Sequence, residues 1–151
     1  RDIARQMLRH RSFSFQEFSQ RYADPTAELA EAFVIREARL QDTKNRQNSI
    51  ETDNPALQAF WETHQKRVLD AAQSAYQWAL DNGIAKEQAR AVLPEGNTET
   101  TLYMAGSLRS WIHYCELRMG NGTQKEHMTV AEQCWEIIGQ HFPDVIKALE
   151  E

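Results

Sequence analysis

RHRSFSFQEFSQRY, residues 9–22, changes character part-way along, and the fold class turns on how it is read. Just before and into it, DIARQMLRH at residues 2–10 carries Ile3, Met7 and Leu8 at helical spacing, with Asp2 placed to cap the helix start. From Phe13 the aliphatic helix formers give way to Phe13, Phe15, Phe18 and Tyr22, a pattern that predicts a strand ending at Asp24-Pro25. Side chains alternate along a strand. Phe13, Phe15, Glu17, Ser19 and Arg21 then share one face, and Ser14, Gln16, Phe18, Gln20 and Tyr22 the other. The first face would end in an acid, a hydroxyl and a guanidinium about 6.5 Å apart at the usual strand rise. That row can span a nucleotide, with Arg21 and Ser19 on phosphate and Glu17 accepting from sugar or base. A polar strand face is also what simple hydration produces.

Working outward, FVIREARL (Phe33 to Leu40) predicts a second strand, and the almost wholly polar residues 41–55 a lid, binding loop or insertion. From Asn54-Pro55 to Asn82-Gly83 the spacing predicts one long helix. Leu57, Phe60, Trp61, His64, Val68, Ala71, Ala72, Ala75, Trp78 and Ala79 follow its period, and Asn82-Gly83 closes it. The Trp-rich part at 61–78 reads as core or subunit interface. A short helix, Lys86 to Val92, stops before Pro94, and Thr98 to Ala105 is a third strand candidate. Helices at about 107–119 and 124–141 flank the turn Gly120-Asn121-Gly122. The class is α+β, one domain over residues 1–151.

The net charge of −5 argues against general nucleic-acid affinity. Of the 12 arginines, five (Arg1, Arg5, Arg9, Arg11 and Arg21) fall in the first 21 residues, opposed only by Asp2 and Glu17. Guanidinium forks suit phosphate and planar heterocycles, so the cluster points to a small anionic ligand or to a salt-bridged surface. Cys115 and Cys134 make no disulfide framework, which fits a reducing, cytoplasmic setting and two small core residues. No apolar run approaches the ~20 residues of a membrane helix. The chain opens on Arg1 inside what reads as helix, so we expect further chain before it.

Arg9, His10, Arg11, seven residues and then Ser19 form a pattern that resembles the signature of the flavin-dependent thymidylate synthases. The likeness continues in order through Arg21-Tyr22, ARAVLP (Ala89 to Pro94), Leu108 to Ser110, Leu117-Arg118, Gln124 and Glu126. REARLQDTKNRQNS is similar to the phage and bacterial subgroup. The resemblance implies a small antiparallel sheet packed on long helices, and methylation of dUMP to dTMP with methylenetetrahydrofolate as carbon donor and FAD, reduced by NADPH, as hydride carrier. It implies that Arg9, His10, Arg11 and Glu17 approach the flavin, as do Ser107, Arg109 and His113. It places Gln6, Arg9, Glu17, Ser19, Gln20, Arg21 and Arg90 around dUMP, and Arg118 against the uracil ring, favouring its ionised imide. Many members carry asparagine at positions 107 and 113 and a histidine where Gly122 stands. The family's early flavin-binding residues, upstream of the signature, have no counterpart here. A homotetramer with active sites shared between subunits is implied as well.

The residues themselves agree with a flavin route, since neither cysteine lies in the Arg-rich cluster. At 100° per residue Ser107, Trp111, Tyr114 and Arg118 share a helix face, and Arg118 sits in the last turn, where a cation is favoured. His113, Cys115, Glu126 and His127 match no compact metal spacing, so no metal is expected. Ser19 has no Ser-His-Asp surroundings and suits a ligand role. Two other readings fit the residues: a non-catalytic flavin- or nucleotide-binding homologue, and a single-stranded nucleic-acid binder using residues 9–22.

Overall fold

Asn54 starts the longest element of the chain. In a computed structural model, which describes residues 1–28 and 31–150, its Oδ1 accepts from the backbone N–H of Ala56 and Leu57 at 3.1 Å each, and Pro55 supplies the first helical residue. The elements in order are α1 (Asp2–Met7), β1 (Ser14–Glu17), α2 (Pro25–Glu28), β2 (Arg39–Gln41), β3 (Ser49–Glu51), α3 (Pro55–Asp81), α4 (Lys86–Ala89), a 3-10 turn (Arg90–Val92), β4 (Leu102–Ala105), α5 (Leu108–Arg118), α6 (Lys125–His141) and α7 (Pro143–Glu150). β1 pairs with β4 and β2 with β3, giving the expected mixed class with small antiparallel sheets. No helix among the described residues is long and apolar enough to cross a membrane.

The chain gathers into two compact units. One comprises Arg1–Arg9, Phe15–Arg39 and Glu51–Met104; the other His10–Ser14, Leu40–Ile50 and Ala105–Glu151. In the first unit α3 runs 27 residues to its cap Asn82, and Gly83 at φ 75° takes the left-handed turn that a side chain would disfavour. α3 buries Gln65, Leu69, Ala72, Tyr76 and Ala79; Tyr76 and Ala79 form a core with Ala89, Leu80 and Leu93. Of the periodic apolar positions read from the sequence, only Ala72 and Ala79 are in that buried stripe. Phe60, Val68 and Trp78 are 67%, 58% and 62% exposed, so the face that carries the tryptophans is not core.

All three predicted strands are shorter than expected, the third being regular only over β4, Leu102–Ala105. Regular pairing of residues 13–22 is confined to β1, because the Ser19 carbonyl accepts from the N–H of Tyr22 and Ala23 and curls the chain into a turn. Glu17, Ser19 and Arg21 therefore do not form a row on one strand face. Asp2 is the first residue of α1 rather than its cap; its Oδ1 accepts from Ile3 N and pairs with Arg36 at 2.8 Å. Between Phe33 and Leu40 only one bridge (Phe33 to Thr98) and the start of β2 are regular. What holds this segment extended is a pair of glutamines on α3. Gln65 bonds both N–H and C=O of Arg36, at 2.8 and 2.7 Å, and Gln58 does the same to Ala38, at 2.7 and 2.9 Å. Each carboxamide matches a peptide group, so the two side chains replace a partner strand and satisfy backbone that would otherwise be left unpaired.

In the second unit the polar stretch after residue 40 is a hairpin rather than a structureless loop. Asp42 Oδ1 accepts from the N–H of Lys44 and Asn45 at 2.8 and 3.0 Å, and Gln41 Nε2 lies within 3.0–3.3 Å of the Asp42, Arg46 and Asn48 carbonyls. Asn48 Nδ2 then donates to Asn121 Oδ1 at 2.9 Å, in the turn after α5. α5 packs on α6, burying Tyr114, Cys115, His127, Ala131 and Ile138, and Phe13 is buried against Gly106.

Candidate active site

The first unit carries Gln6, Arg9, Glu17, Ser19, Gln20, Arg21 and Arg90, and the second carries His10, Arg11, Ser107, Arg109, His113 and Arg118. In the first, Glu17 extends from the end of β1 and is enclosed by cations: Arg1 Nη2 lies 3.3 Å and Arg5 Nη1 3.6 Å from its oxygens, and Thr100 Oγ1 donates at 3.2 Å. Arg5 is shared with Glu95, 2.6 Å from its Nε; this contact lowers the Glu95 pKa and raises that of Arg5. Arg21 reaches Glu87 at 3.4 Å, and Arg90 Nε donates to the Glu87 carbonyl at 3.3 Å. These arginines sit in a lattice of internal charges, where an anion can exchange for an exposed carboxylate at small cost.

Two clefts border this lattice. One, of about 380 Å³, is lined by Arg1, Arg5, Gln20, Glu87, Arg90, Ala91, Leu93 and Glu95. Two buried donor atoms of its lining residues, Gln20 Nε2 and Arg1 Nη1, have no hydrogen-bond partner among the described residues. The other cleft, of about 440 Å³, is lined by Gln16, Glu17, Phe18, Ser19, Glu28, Thr101 and Tyr103. Glu17 and Ser19 thus line one cleft, and Gln20 and Arg90 the other. Gln6 is half-buried beside α1's end, and Arg9 is exposed.

In the second unit α5 begins at Ser107, whose Oγ accepts from Ser110 N at 3.2 Å; serine at this position caps the helix. Arg109 and His113 are exposed on α5, and Arg11 is exposed ahead of β1. At the other end of α5, Arg118 Nε donates to His10 Nε2 at 2.9 Å. The His10 ring is edge-on to Tyr114 (5.0 Å), Phe13 (6.4 Å) and His127 (6.5 Å). Trp111 stacks edge-on against both Phe13 and Tyr114, and of the predicted face of Ser107, Trp111, Tyr114 and Arg118 only Ser107 falls outside the helix, as its N-cap. Beneath it Tyr114 Oη and His127 Nε2 are 3.1 Å apart, both residues fully buried. Burial, then the charge of Arg118, holds both histidines below their ordinary pKa, His127 at about 4.

The sequence offers Arg1 and Arg5 only as members of the arginine cluster, and Tyr114 and His127 are not among the site residues it names. The α5 periodicity already put Tyr114 on the Arg118 face; His127 had no such signal, because its neighbour comes from another helix. For the flavin, the fit rests on Arg11 and Arg109. Among the described residues neither makes an ion pair, and unpaired exposed guanidiniums suit the pyrophosphate of an anionic dinucleotide.

The family model for the thymidylate synthase complementing proteins (Thy1) matches residues 1–144. A probable flavin-dependent thymidylate synthase of Paramecium bursaria Chlorella virus 1 is 51% identical over 150 residues, spanning 99% of this chain and 67% of that protein. The flavin-dependent thymidylate synthase of Synechocystis is 49% identical with the same coverage. A crystal structure of the UMP/dUMP methylase PolB from Streptomyces cacaoi, bound with 5-Br UMP, superposes with a TM-score of 0.79 at 29% identity, over 92% of this chain and 65% of that one. The chain thus spans about two thirds of the length of these relatives. With these matches in agreement, the chain belongs to the Thy1 family of flavin-dependent thymidylate synthases.

Proposed function

We propose that the protein methylates dUMP to dTMP, taking the carbon from methylenetetrahydrofolate, with FAD reduced by NADPH as hydride carrier. The observation that carries this reading is Arg118. Its Nε is committed to His10, and among the described residues its two amino ends have no partner, which leaves a planar pair of donors for a ligand. Set against a pyrimidine, that pair favours the ionised imide and raises the nucleophilicity of the ring carbon that takes up the one-carbon unit. The same residue at the C-terminal end of α5 keeps its charge next to helix carbonyls, where a cation is stabilised.

Roles for the remaining residues follow the family resemblance. Gln20, Arg1 and Arg90 line the 380 Å³ cleft that would take the nucleotide. Glu17, held by Arg1 and Arg5, keeps a fixed acceptor, and Ser19 and Arg21 supply further donors. Gln6 and Arg9 complete the nucleotide contacts. Arg11, Arg109 and His113 are the residues that the resemblance turns toward the flavin, which when bound would supply the hydride. Ser107 orients the start of α5 through its cap. The active unit is a homotetramer with sites completed between subunits, acting in the cytoplasm; the exposed apolar stripe of α3 supports the assembly.

The test is product formation. Protein supplied with dUMP, methylenetetrahydrofolate, FAD and NADPH should yield dTMP. Binding of FAD and dUMP without dTMP would instead identify a non-catalytic homologue. UMP should be run in parallel, because the Streptomyces methylase is described for both nucleotides.

A further inference from the structure

We propose that His10 positions Arg118: its Nε2 accepts the Arg118 Nε–H and fixes the plane of the guanidinium, while the buried Tyr114–His127 pair fixes His10 in turn. The proposal rests on the reading of Arg118 as the cation that faces the pyrimidine.

The geometry leaves His10 little freedom. Its ring meets Tyr114, Phe13 and His127 edge-on, with interplanar angles of 78°, 82° and 88°, so rotation about its side-chain bonds would drive it into one of the three. Tyr114 and His127, both fully buried, lock one another through the 3.1 Å contact between Oη and Nε2. A guanidinium on a long side chain has several rotamers to lose, and one 2.9 Å bond to its Nε selects among them without using the amino ends. The bond also dictates chemistry. Nε2 can accept only when it carries no proton, so His10 must be the neutral tautomer with its proton on Nδ1. The charged groups and titratable side chains facing it agree: Arg118 and His113 on α5 both disfavour its protonation, and from α5 and α6 come the uncharged Tyr114 and a His127 that protonates only near pH 4. If His10 were protonated, the acceptor would be lost and two cations would stand in contact.

Two variants separate this role from direct service to the flavin. In His10→Gln the amide oxygen can occupy the Nε2 position and cannot be protonated; in His10→Leu nothing accepts. The expected result for His10→Leu is a fall in kcat for dTMP formation of about a hundredfold, with KM for dUMP changed less than about threefold, the signature of a misplaced rather than missing group. His10→Gln should recover most of that loss and abolish the acid-side decline that the wild type shows as His10 protonates. Nitrogen-15 NMR of the whole protein gives a readout independent of turnover. His10 should be the Nδ1–H tautomer, and Arg118→Leu should raise its pKa toward the ordinary imidazole value. Equal loss in both variants together with loss of FAD absorbance would assign His10 to the flavin and overturn the proposal, as would a His10 pKa unmoved by Arg118→Leu. A wild type that makes no dTMP would defeat the functional reading, and the NMR coupling would still decide the His10–Arg118 link.

Discussion

Cys115 is fully buried, and burial followed by the nearby Cys134 pushes its thiol up to about 12; Cys134 is raised by burial as well. Neither is a thiolate near neutral pH, so neither can serve as the nucleophile that activates uracil in a cysteine-dependent route. The double change Cys115→Ser and Cys134→Ser should leave most dTMP formation intact in the folded fraction, and complete loss in folded protein would require another mechanism. Gly106 gives a sharper structural prediction. A Cβ there would stand 2.5 and 2.7 Å from two Phe13 ring carbons. Gly106→Ala must displace the ring that packs on Trp111, Tyr114 and His10, at a cost of about 1–3 kcal/mol in urea unfolding. The candidate site residues legible in the sequence were those carried by a motif, Arg9 to Arg11 and Arg118 among them. The partners that orient them were not, because Arg118 finds His10 108 positions away.

At the scale of elements, the Tyr114–His127 contact ties α5 to α6 and makes that pairing sensitive to acid. His127 titrates near 6.5 when unfolded and at about 4 when folded. The unfolded chain therefore binds the extra proton first as pH falls, and stability is lost progressively from about pH 6.5 down to about 4. The loss amounts to at most about 3 kcal/mol for that shift. His127→Phe should flatten the dependence of urea midpoint on pH in this window, and an unchanged slope would mean that His127 is charged in the fold. Helix ends were readable for a local reason: Asn54-Pro55 and Asn82-Gly83 carry their own capping chemistry, and α3 begins and ends there. Strand extents were not. Whether residues 34–38 pair with a strand or with Gln58 and Gln65 depends on a helix whose glutamines lie 20 and 29 positions further along the chain. Nothing in FVIREARL distinguishes the two, and a polar glutamine on a helix reads as a surface residue. Likewise the amide-rich residues 41–48 read as loop because their order comes from side-chain bonds to backbone, such as those of Gln41 and Asp42.

For the whole molecule, α3 poses the main unanswered exposure. Leu57, Trp61, Val68 and Trp78, together with His64, Ala71 and Ala75, recur at alternating spacings of four and three and lie at the surface. That is the spacing of a seam between helices, and a stripe this apolar is normally covered by a partner. If the protein works as a homotetramer, this stripe is the natural place for a subunit contact. Trp78→Glu should then shift light scattering from tetramer toward smaller species, whereas a wild-type monomer that turns over dUMP would contradict the assembly.

The central claim is that a guanidinium fixed at the end of α5 activates the pyrimidine. Its most direct test is single-turnover oxidation of reduced flavin on mixing with dUMP and methylenetetrahydrofolate, comparing wild type with Arg118→Lys and Arg118→Ala. Lysine keeps the charge but has neither the planar fork nor the Nε that His10 holds. The account predicts a rate lower by roughly a hundredfold in Arg118→Lys, about 3 kcal/mol, and at least as low in Arg118→Ala, with flavin reduction by NADPH unimpaired in both. Near-normal single-turnover rates in the two variants would remove Arg118 from the chemistry.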